Sequence, residues 1–212
     1  MITFHFDFLS PYAYLAWTSI HTLAAEHGRT VLPVPTLLAA LLASGHTKGP
    51  AEIPAKRVYV FKDVVRSAAH LGVPLAPPPT HPFNPLLSLR VSGLVEGEAQ
   101  KVLVDELFRA AWGGGGGVET AEQVARVASR AGFDGEDLVS RAQEPEAKAR
   151  LKAATDEAIA TGVFGVPTMR VDGELFWGLD SFGHLERFLQ GEDPVRDADL
   201  GRWVAIRPSA SR

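Results

Sequence analysis

Sequence patterns typical of β-strands occur only near the two ends of this chain, and their placement restricts the folds that it can adopt. Apolar and polar residues alternate over residues 2–8, and a short apolar run covers residues 30–34. Between these two segments, apolar residues recur with a helical period over residues 13–24, and Gly28 marks the end of that helix. Two strands joined by a helix are typical of a parallel βαβ unit. The beginning of the chain therefore predicts an α/β protein.

Strand patterns return only near the C-terminal end. Residues 168–171 and 175–177 flank Asp172-Gly173, a dipeptide typical of a two-residue hairpin turn, and a last helix is expected over about residues 181–189. Residues 36–160 show only helical periods, with glycine and proline at the expected helix ends. This order of elements predicts a thioredoxin-like fold with a large all-helical insertion.

The length of 212 residues allows one large domain or two small ones. We predict that residues 1–35 and 162–212 form the thioredoxin-like domain. Residues 36–161 are then an inserted helical domain.

Composition excludes several classes of function. The chain has no cysteine, which rules out disulfides, a thiol nucleophile, a CxxC redox centre and cysteine-bound metals, and we expect no metal site. A net charge of −4 argues against nucleic acid as a partner. No apolar run approaches the ~20 residues that a membrane span needs, and the first residues lack the pattern of a signal peptide. We therefore expect a cytoplasmic protein that does not associate with membranes.

Ser10 and Pro11 follow the first strand directly and are typical of an N-cap and the first residue of a helix. The first turn of a helix presents unpaired N–H groups and a partial positive charge, so an anion beside Ser10 is stabilised there. The hydroxyl of Ser10 can donate a further hydrogen bond to it. Taken alone, however, Ser10 is explained more simply as a helix cap.

Two further segments have polar groups suited to a peptide-like ligand. Val166-Pro167 lies between a glycine and a strand, which indicates a fixed peptide bond, with the cis form as one alternative. The backbone of Val166 could pair with an extended ligand. Asp180 and Ser181 begin the last helix, where Asp180 could bind an amine and the helix N–H groups a carboxylate. Taken singly, these segments are explained by a turn and by an ordinary helix cap.

The combination of DFLSPY, GVFGVPT and DGELFWGLDS resembles the 2-hydroxychromene-2-carboxylate isomerase family, which is grouped with the DsbA-like proteins and the kappa-class glutathione transferases. The resemblance extends over essentially the whole chain. It is looser in the middle, where the similar positions are Lys56, Tyr59, Asp63, Arg66, residues 82–85 and Arg90.

The resemblance implies a DsbA-like fold that binds reduced glutathione between the thioredoxin-like part and the insertion. Ser10 occupies the position of the reactive cysteine of DsbA-type oxidoreductases, so glutathione supplies the thiol that this chain lacks. Ser10 is then the catalytic residue, which keeps the sulfur as a thiolate by donating a hydrogen bond to it. The implied glutathione-binding residues are Ser10, Pro11, Tyr12, Val166, Pro167, Trp177, Gly178, Leu179, Asp180 and Ser181.

In the family reaction, 2-hydroxychromene-2-carboxylate is converted to trans-o-hydroxybenzylidenepyruvate, and glutathione is returned unchanged as a cofactor. We expect this activity, or one on a close analogue, with a small aromatic substrate. Two alternatives stay open: a kappa-type glutathione transferase or peroxidase that consumes glutathione, and a thioredoxin-fold binding module without turnover. The oligomeric state is also open, with a homodimer as one alternative.

The sequence departs from the family pattern in the loop expected to contact the substrate. Residues 44–50 contain no asparagine, although family members have one there. Lys48 is a candidate partner for a substrate carboxylate, and Asn84 is the second candidate. An exposed loop lysine is usually only solvated, and Asn84 also fits an N-cap of the following helix.

Overall fold

The computed structural model describes residues 1–195, 197–207 and 209 of the chain. Within these residues, four strands form one mixed sheet in the order β2-β1-β3-β4. β1 is parallel to β2 and antiparallel to β3, and β3 is antiparallel to β4. The strands are β1 (Ile2–Phe6), β2 (Val31–Pro35), β3 (Thr168–Val171) and β4 (Glu174–Trp177).

Seven helices lie between β2 and β3 in the part of the chain that the structure describes, and no strand lies among them. The helices are α1 (Pro11–Glu26), α2 (Leu38–Ser44), α3 (Pro54–Leu71), α4 (Leu86–Ser92), α5 (Gly97–Trp112), α6 (Ala121–Arg130), α7 (Gly135–Arg141), α8 (Pro145–Ala160), α9 (Phe182–Leu189) and α10 (Asp197–Val204). Short 3₁₀ helices cover Pro50–Glu52 and Leu179–Ser181. The thioredoxin-like α/β fold with a helical insertion is confirmed.

Local sequence signals explain most of the element ends. Thr120 and Gln123 form a capping box at the start of α6, with the Gln123 N–H donating to Thr120 Oγ1 at 3.2 Å. Asp172 and Gly173 have φ values of 51° and 98°, as a two-residue turn between β3 and β4 requires. Within the polar stretch after Gly191, which shows little periodicity in sequence, residues Asp197–Val204 form α10.

An aromatic cluster fills the space between the sheet, α1 and α5. Phe4, Phe6 and Phe8 point to one side of the first segment and are fully buried. Their rings contact Trp17 of α1 and Phe108 of α5, with the centroids of Phe8 and Phe108 4.8 Å apart. Side chains of the sheet and of the inserted helices therefore share one hydrophobic cluster.

The boundaries proposed for the two domains stay a prediction. Residues 196, 208 and 210–212 of the segment 162–212 lie outside the described residues. Among the helices that are described, none combines the length and the apolar composition that crossing a membrane requires.

Candidate functional site

Ser10 lies at the N-terminus of α1, directly after the chain leaves β1. Its side chain is buried, and Oγ accepts a hydrogen bond from the Ala13 N–H at 3.1 Å, so Ser10 is the N-cap of α1. The same hydroxyl donates to the carbonyl oxygen of Val166 at 3.4 Å. That distance is long for a bond between two oxygens, so this proton is held weakly. A closer acceptor at this position can therefore take it.

The first turn of α1 leaves one backbone donor for a ligand. Pro11 has no N–H, and the N–H of Ala13 is bound by Ser10. Among the described residues, the N–H of Tyr12 has no hydrogen-bond partner. The first turn also contains no acidic side chain. Because the helix N-terminus carries about half a positive charge, this position favours an anion.

Three side chains hold the turn that carries Ser10. The indole N–H of Trp112 donates to the Phe8 carbonyl at 2.8 Å, and Nε2 of His81 lies 3.1 Å from the Leu9 carbonyl. Since a carbonyl can only accept, His81 donates from Nε2. The Leu9 N–H donates to Asp7 Oδ1 at 2.9 Å. Two of these side chains belong to the inserted helical segment, which therefore positions the turn.

Sequence reasoning did not identify these three residues as contributors. Asp7 belongs to the DFLSPY motif, so its position gave a signal. His81 and Trp112 are far from Ser10 in sequence and have no such signal. Burial lowers the pKa of His81, and the charge of Arg57 lowers it further, although the hydrogen bond to the Leu9 carbonyl opposes both.

The Val166-Pro167 bond is cis and faces Ser10. Among the described residues, the N–H of Val166 has no partner, and its carbonyl receives only the weak bond from Ser10. The Pro167 carbonyl accepts from the Gly178 N–H at 2.9 Å, which ties the loop to the end of β4. Val166 therefore offers one donor and one acceptor to an extended peptide.

Ser181 is the N-cap residue of α9, as one of the two expectations had it, but its hydroxyl makes no capping hydrogen bond. Ser181 Oγ donates to the Gly178 carbonyl at 2.8 Å, and no side chain caps α9. Asp180 is exposed and makes no hydrogen bond or ion pair with the described residues. A Cβ atom on Gly178, which has φ +91°, would collide with the Asp180 carboxylate. The carboxylate is thus folded back over a position that only glycine tolerates.

Tyr12 connects α1 to the inserted segment. Its hydroxyl donates to Asp63 Oδ2 of α3 at 2.8 Å. Burial raises the pKa of the Tyr12 phenol, and the charges of Asp63 and Asp180 raise it further. The charges of both carboxylates thus act on Tyr12, and this negative region favours a cationic group. Two further residues of the segment 177–181 were also proposed to bind glutathione. Trp177 ends β4, and Leu179 packs against the main hydrophobic cluster.

Comparison with known proteins gives this arrangement a context. A family model described as a DSBA-like thioredoxin domain matches residues 1–190. A 2-hydroxychromene-2-carboxylate isomerase of Pseudomonas putida is 32% identical over 204 residues, which cover 94% of this chain and 98% of that protein. The chain belongs to the DsbA-like 2-hydroxychromene-2-carboxylate isomerase family.

A solved structure and a second group of relatives agree with this family membership. The structure of a 2-hydroxychromene-2-carboxylate isomerase superposes with a TM-score of 0.80 at 29% identity, covering 96% of this chain and 95% of that one. A glutathione S-transferase kappa 2 of Caenorhabditis elegans is 30% identical over 213 residues, 89% of this chain and 91% of its own. The isomerase family and the kappa-class transferases are therefore both related to this chain.

The two substrate candidates of this family member lie in different places. Lys48 is exposed in the loop after α2 and has no ion pair or hydrogen bond with the residues that the structure describes. Leu41 of the same helix packs in one cluster with Val166, so this loop follows a helix that contacts the site. Asn84 is not the N-cap of the following helix, because α4 begins at Leu86 with Pro85 in the cap position; Asn84 Oδ1 accepts from the Leu86 N–H at 3.0 Å in the turn before it. Asn84 also borders a separate cavity of about 290 Å³.

Proposed function

We propose that this protein is a glutathione-dependent isomerase that converts 2-hydroxychromene-2-carboxylate, or a close analogue, to trans-o-hydroxybenzylidenepyruvate. The observation that carries the proposal is the position of Ser10. In a chain without cysteine, its hydroxyl lies at a helix N-terminus and donates only a long bond to Val166. Similarity to isomerases over almost the whole chain supports the reaction class.

The groups around Ser10 fit reduced glutathione. The unpaired Val166 N–H and its weakly bonded carbonyl are suited to the peptide backbone of the cysteinyl residue. The carboxylate of Asp180, close to Tyr12 and free of partners among the described residues, is suited to the α-ammonium group. Of the other residues proposed for this role, Pro11 begins α1 beside Ser10, Pro167 follows Val166, and the residues around Asp180 are Trp177, Gly178, Leu179 and Ser181.

When bound, glutathione supplies the nucleophilic thiolate that adds reversibly to the substrate. The contribution of the chain is to favour the charged sulfur. The Ser10 hydroxyl exchanges its long bond to Val166 for a bond to the sulfur, and the Tyr12 N–H and the positive end of α1 face the same region. A free thiol has a pKa of about 8.5, and these groups lower it by about two units, so about half or more is ionised at neutral pH.

A balance of glutathione tests the proposal. The purified protein is mixed with 2-hydroxychromene-2-carboxylate and substoichiometric glutathione, and product and free thiol are both quantified. We expect many turnovers per glutathione and full recovery of the thiol. No isomerisation above the rate with glutathione alone would contradict the proposal.

The similarity to a kappa-class transferase favours one alternative activity. In that case the chain consumes glutathione, and the thiol disappears in step with an electrophilic substrate. Binding of glutathione without turnover of either substrate would instead support a non-catalytic thioredoxin-fold module. The same experiment, repeated with an electrophilic aromatic substrate, separates these outcomes.

Location and assembly remain part of the proposal. A function that depends on reduced glutathione is consistent with the cytoplasm as the expected compartment. A homodimer stays one alternative for the assembly, and sedimentation of the purified protein decides it.

A further inference from the structure

Two large aromatic side chains lie at the surface beside the Val166 loop. The ring centroids of Phe164 and Trp177 are 5.1 Å apart, and the ring planes are inclined by 59°. Each residue is 54% exposed. In the loop before Pro167, the neighbouring side chains of Val163 and Val166 are buried. Phe164 is therefore exposed although the loop that carries it packs against the protein.

Gly165 fixes the position of the indole. A Cβ atom on Gly165 would lie 2.6 Å from Nε1 of Trp177, so the ring lies directly against the glycine backbone. Any side chain at this position would displace the indole. The pair is therefore a preformed surface, and Phe164 and Trp177 need little reordering to receive a ligand.

The aromatic pair adjoins the sulfur-binding position. Phe164 is two residues before Val166, whose carbonyl faces Ser10. Trp177 is opposite Thr168, the first residue of β3 after the same loop. Leu175 lies on the same face of β4 as Trp177 and packs with Val166 and with residues of α2 and α8. Leu175 thus places this face of β4 on the side of the sheet that α2 and α8 cover, next to the site.

We propose that Phe164 and Trp177 bind the planar aromatic ring of the substrate while its reacting carbon faces the sulfur held by Ser10. This inference rests on the proposed function and names the part of the chain that selects an aromatic substrate. Two rings inclined to each other can offer one stacked and one edge-to-face contact to a third ring. The sequence resemblance assigns Trp177 to glutathione, whereas Phe164 has no assigned role.

Binding of an unreactive bicyclic acid tests the aromatic surface apart from catalysis. Chromone-2-carboxylate is titrated calorimetrically into the protein saturated with glutathione. We expect the dissociation constant to rise about tenfold in Phe164→Leu and in Trp177→Leu, because leucine retains apolar area but loses the ring contacts. The matched control is Trp203→Leu, which removes a tryptophan that is 71% exposed in α10 and is expected to change the constant less than about twofold.

Steady-state kinetics separates this proposal from the proposed function. With the chromene substrate, Phe164→Leu is expected to raise KM with little change in kcat and in the constant for glutathione, whereas Trp177→Leu, at a residue proposed to bind glutathione, is expected to raise both KM and that constant. If the unaltered protein fails to isomerise the chromene, the proposed function falls, and the chromone titration still decides the role of the pair. Unchanged chromone affinity in Phe164→Leu and Trp177→Leu overturns the inference, as does a change of oligomeric state without a change of affinity. Phe164→Leu decides the question alone if Trp177→Leu does not fold.

Discussion

The Ser10 hydroxyl takes part in two hydrogen bonds that have different consequences. It accepts from the Ala13 N–H at 3.1 Å, which stabilises α1, and it donates to Val166 at 3.4 Å. Only the donated proton is available to a ligand. Capping and a role toward sulfur are therefore compatible in one residue, and a substitution must distinguish them.

Replacement of Ser10 by alanine is expected to raise the pKa of the bound glutathione thiol by about one unit, because the donated bond is lost while the helix N-terminus remains. The thiolate absorbance of the glutathione complex, followed against pH, measures this shift. Ser10→Thr retains a hydroxyl and serves as the control. Loss of the cap costs about 1 kcal/mol of stability, so the fold is checked by circular dichroism. Superimposable titration curves for the unaltered protein and Ser10→Ala would show that Ser10 caps α1 and does not stabilise the thiolate.

Replacement of Asp180 by asparagine is expected to weaken glutathione binding by about two- to fivefold and to leave kcat nearly unchanged. An exposed ion pair is worth little, and this one lies away from the sulfur, so it contributes equally to the ground state and the transition state. Calorimetry and steady-state kinetics measure the two constants. Asp172→Asn, which breaks an exposed pair with Arg29 at 2.7 Å, is the control. Unchanged glutathione affinity in Asp180→Asn would remove Asp180 from the binding site.

At the level of elements, the inserted helices determine the position of the turn before α1. The Trp112 N–H reaches the Phe8 carbonyl from α5, and Nε2 of His81 reaches the Leu9 carbonyl from the loop before α4. The two rings also contact each other, with centroids 5.4 Å apart. This is how a helical segment distant in sequence can affect the chemistry at Ser10.

Trp112→Phe is expected to destabilise the fold by about 1–3 kcal/mol, because the Phe8 carbonyl loses a buried partner. It is also expected to raise the pKa of the bound thiol, since the turn that aims Ser10 is loosened. Trp17→Phe is the matched control: both tryptophans are 2% exposed, but Trp17 does not contact the turn. Urea denaturation and thiolate absorbance give the two readouts. Equal thiol pKa values in the two variants would make Trp112 a stabilising residue only.

The sequence was sufficient where the signal is local. Ser10-Pro11, the capping box at Thr120 and the Asp172-Gly173 turn each specify a backbone geometry within a few residues, and all three are present. Helix α7 begins at Gly135, although glycine has a low helix propensity. A Cβ atom there would collide with the Ala125 carbonyl, so glycine allows α7 to pack closely against α6.

Because sequence signals are local, the candidate site could be predicted only in part. Motifs contiguous in sequence pointed to Ser10, Val166 and Asp180. The contacts of Tyr12 with Asp63 and of His81 with the Leu9 carbonyl join segments 51 and 72 residues apart. No periodicity or spacing encodes such pairs, because they result from the packing of the insertion on the sheet.

For the whole molecule, two buried titratable residues, His5 of β1 and Asp7 directly after it, connect the sheet to the start of the insertion. Thr36 Oγ1 donates its only proton to the Val34 carbonyl at 3.1 Å, so it accepts from Nδ1 of His5 at 3.2 Å. Asp7 Oδ2 accepts from the Leu38 N–H at 2.9 Å. Burial and the charge of Arg170 lower the pKa of His5 to about 4. Burial raises that of Asp7 to about 6, against its backbone hydrogen bonds.

These shifts act on stability in opposite directions. The folded protein binds more protons at Asp7 than the unfolded chain does between the ordinary pKa of 3.8 and the raised pKa of about 6, so the contribution of Asp7 to stability is present at low pH and is lost as pH rises through that range. His5 binds fewer protons folded than unfolded between about 4 and 6.5, so its contribution is present above 6.5 and is lost as pH falls. Each residue changes the free energy of unfolding by about 3 kcal/mol across its pH range, and the two changes nearly cancel.

In Asp7→Asn, the free energy of unfolding is therefore expected to depend on pH with the slope that His5 alone produces. The amide oxygen of asparagine can accept a hydrogen bond, but the amide nitrogen cannot. The variant therefore loses one backbone hydrogen bond at every pH, and this loss lowers its stability by a constant amount. The test lies in the pH dependence: from pH 4 to 6.5 the free energy of unfolding of Asp7→Asn should rise by about 3 kcal/mol relative to that of the unaltered protein. Urea denaturation at half-unit intervals of pH measures both curves. Parallel curves would show that Asp7 is ionised in the folded protein throughout this range, because a carboxyl that does not titrate between pH 4 and 6.5 cannot offset His5.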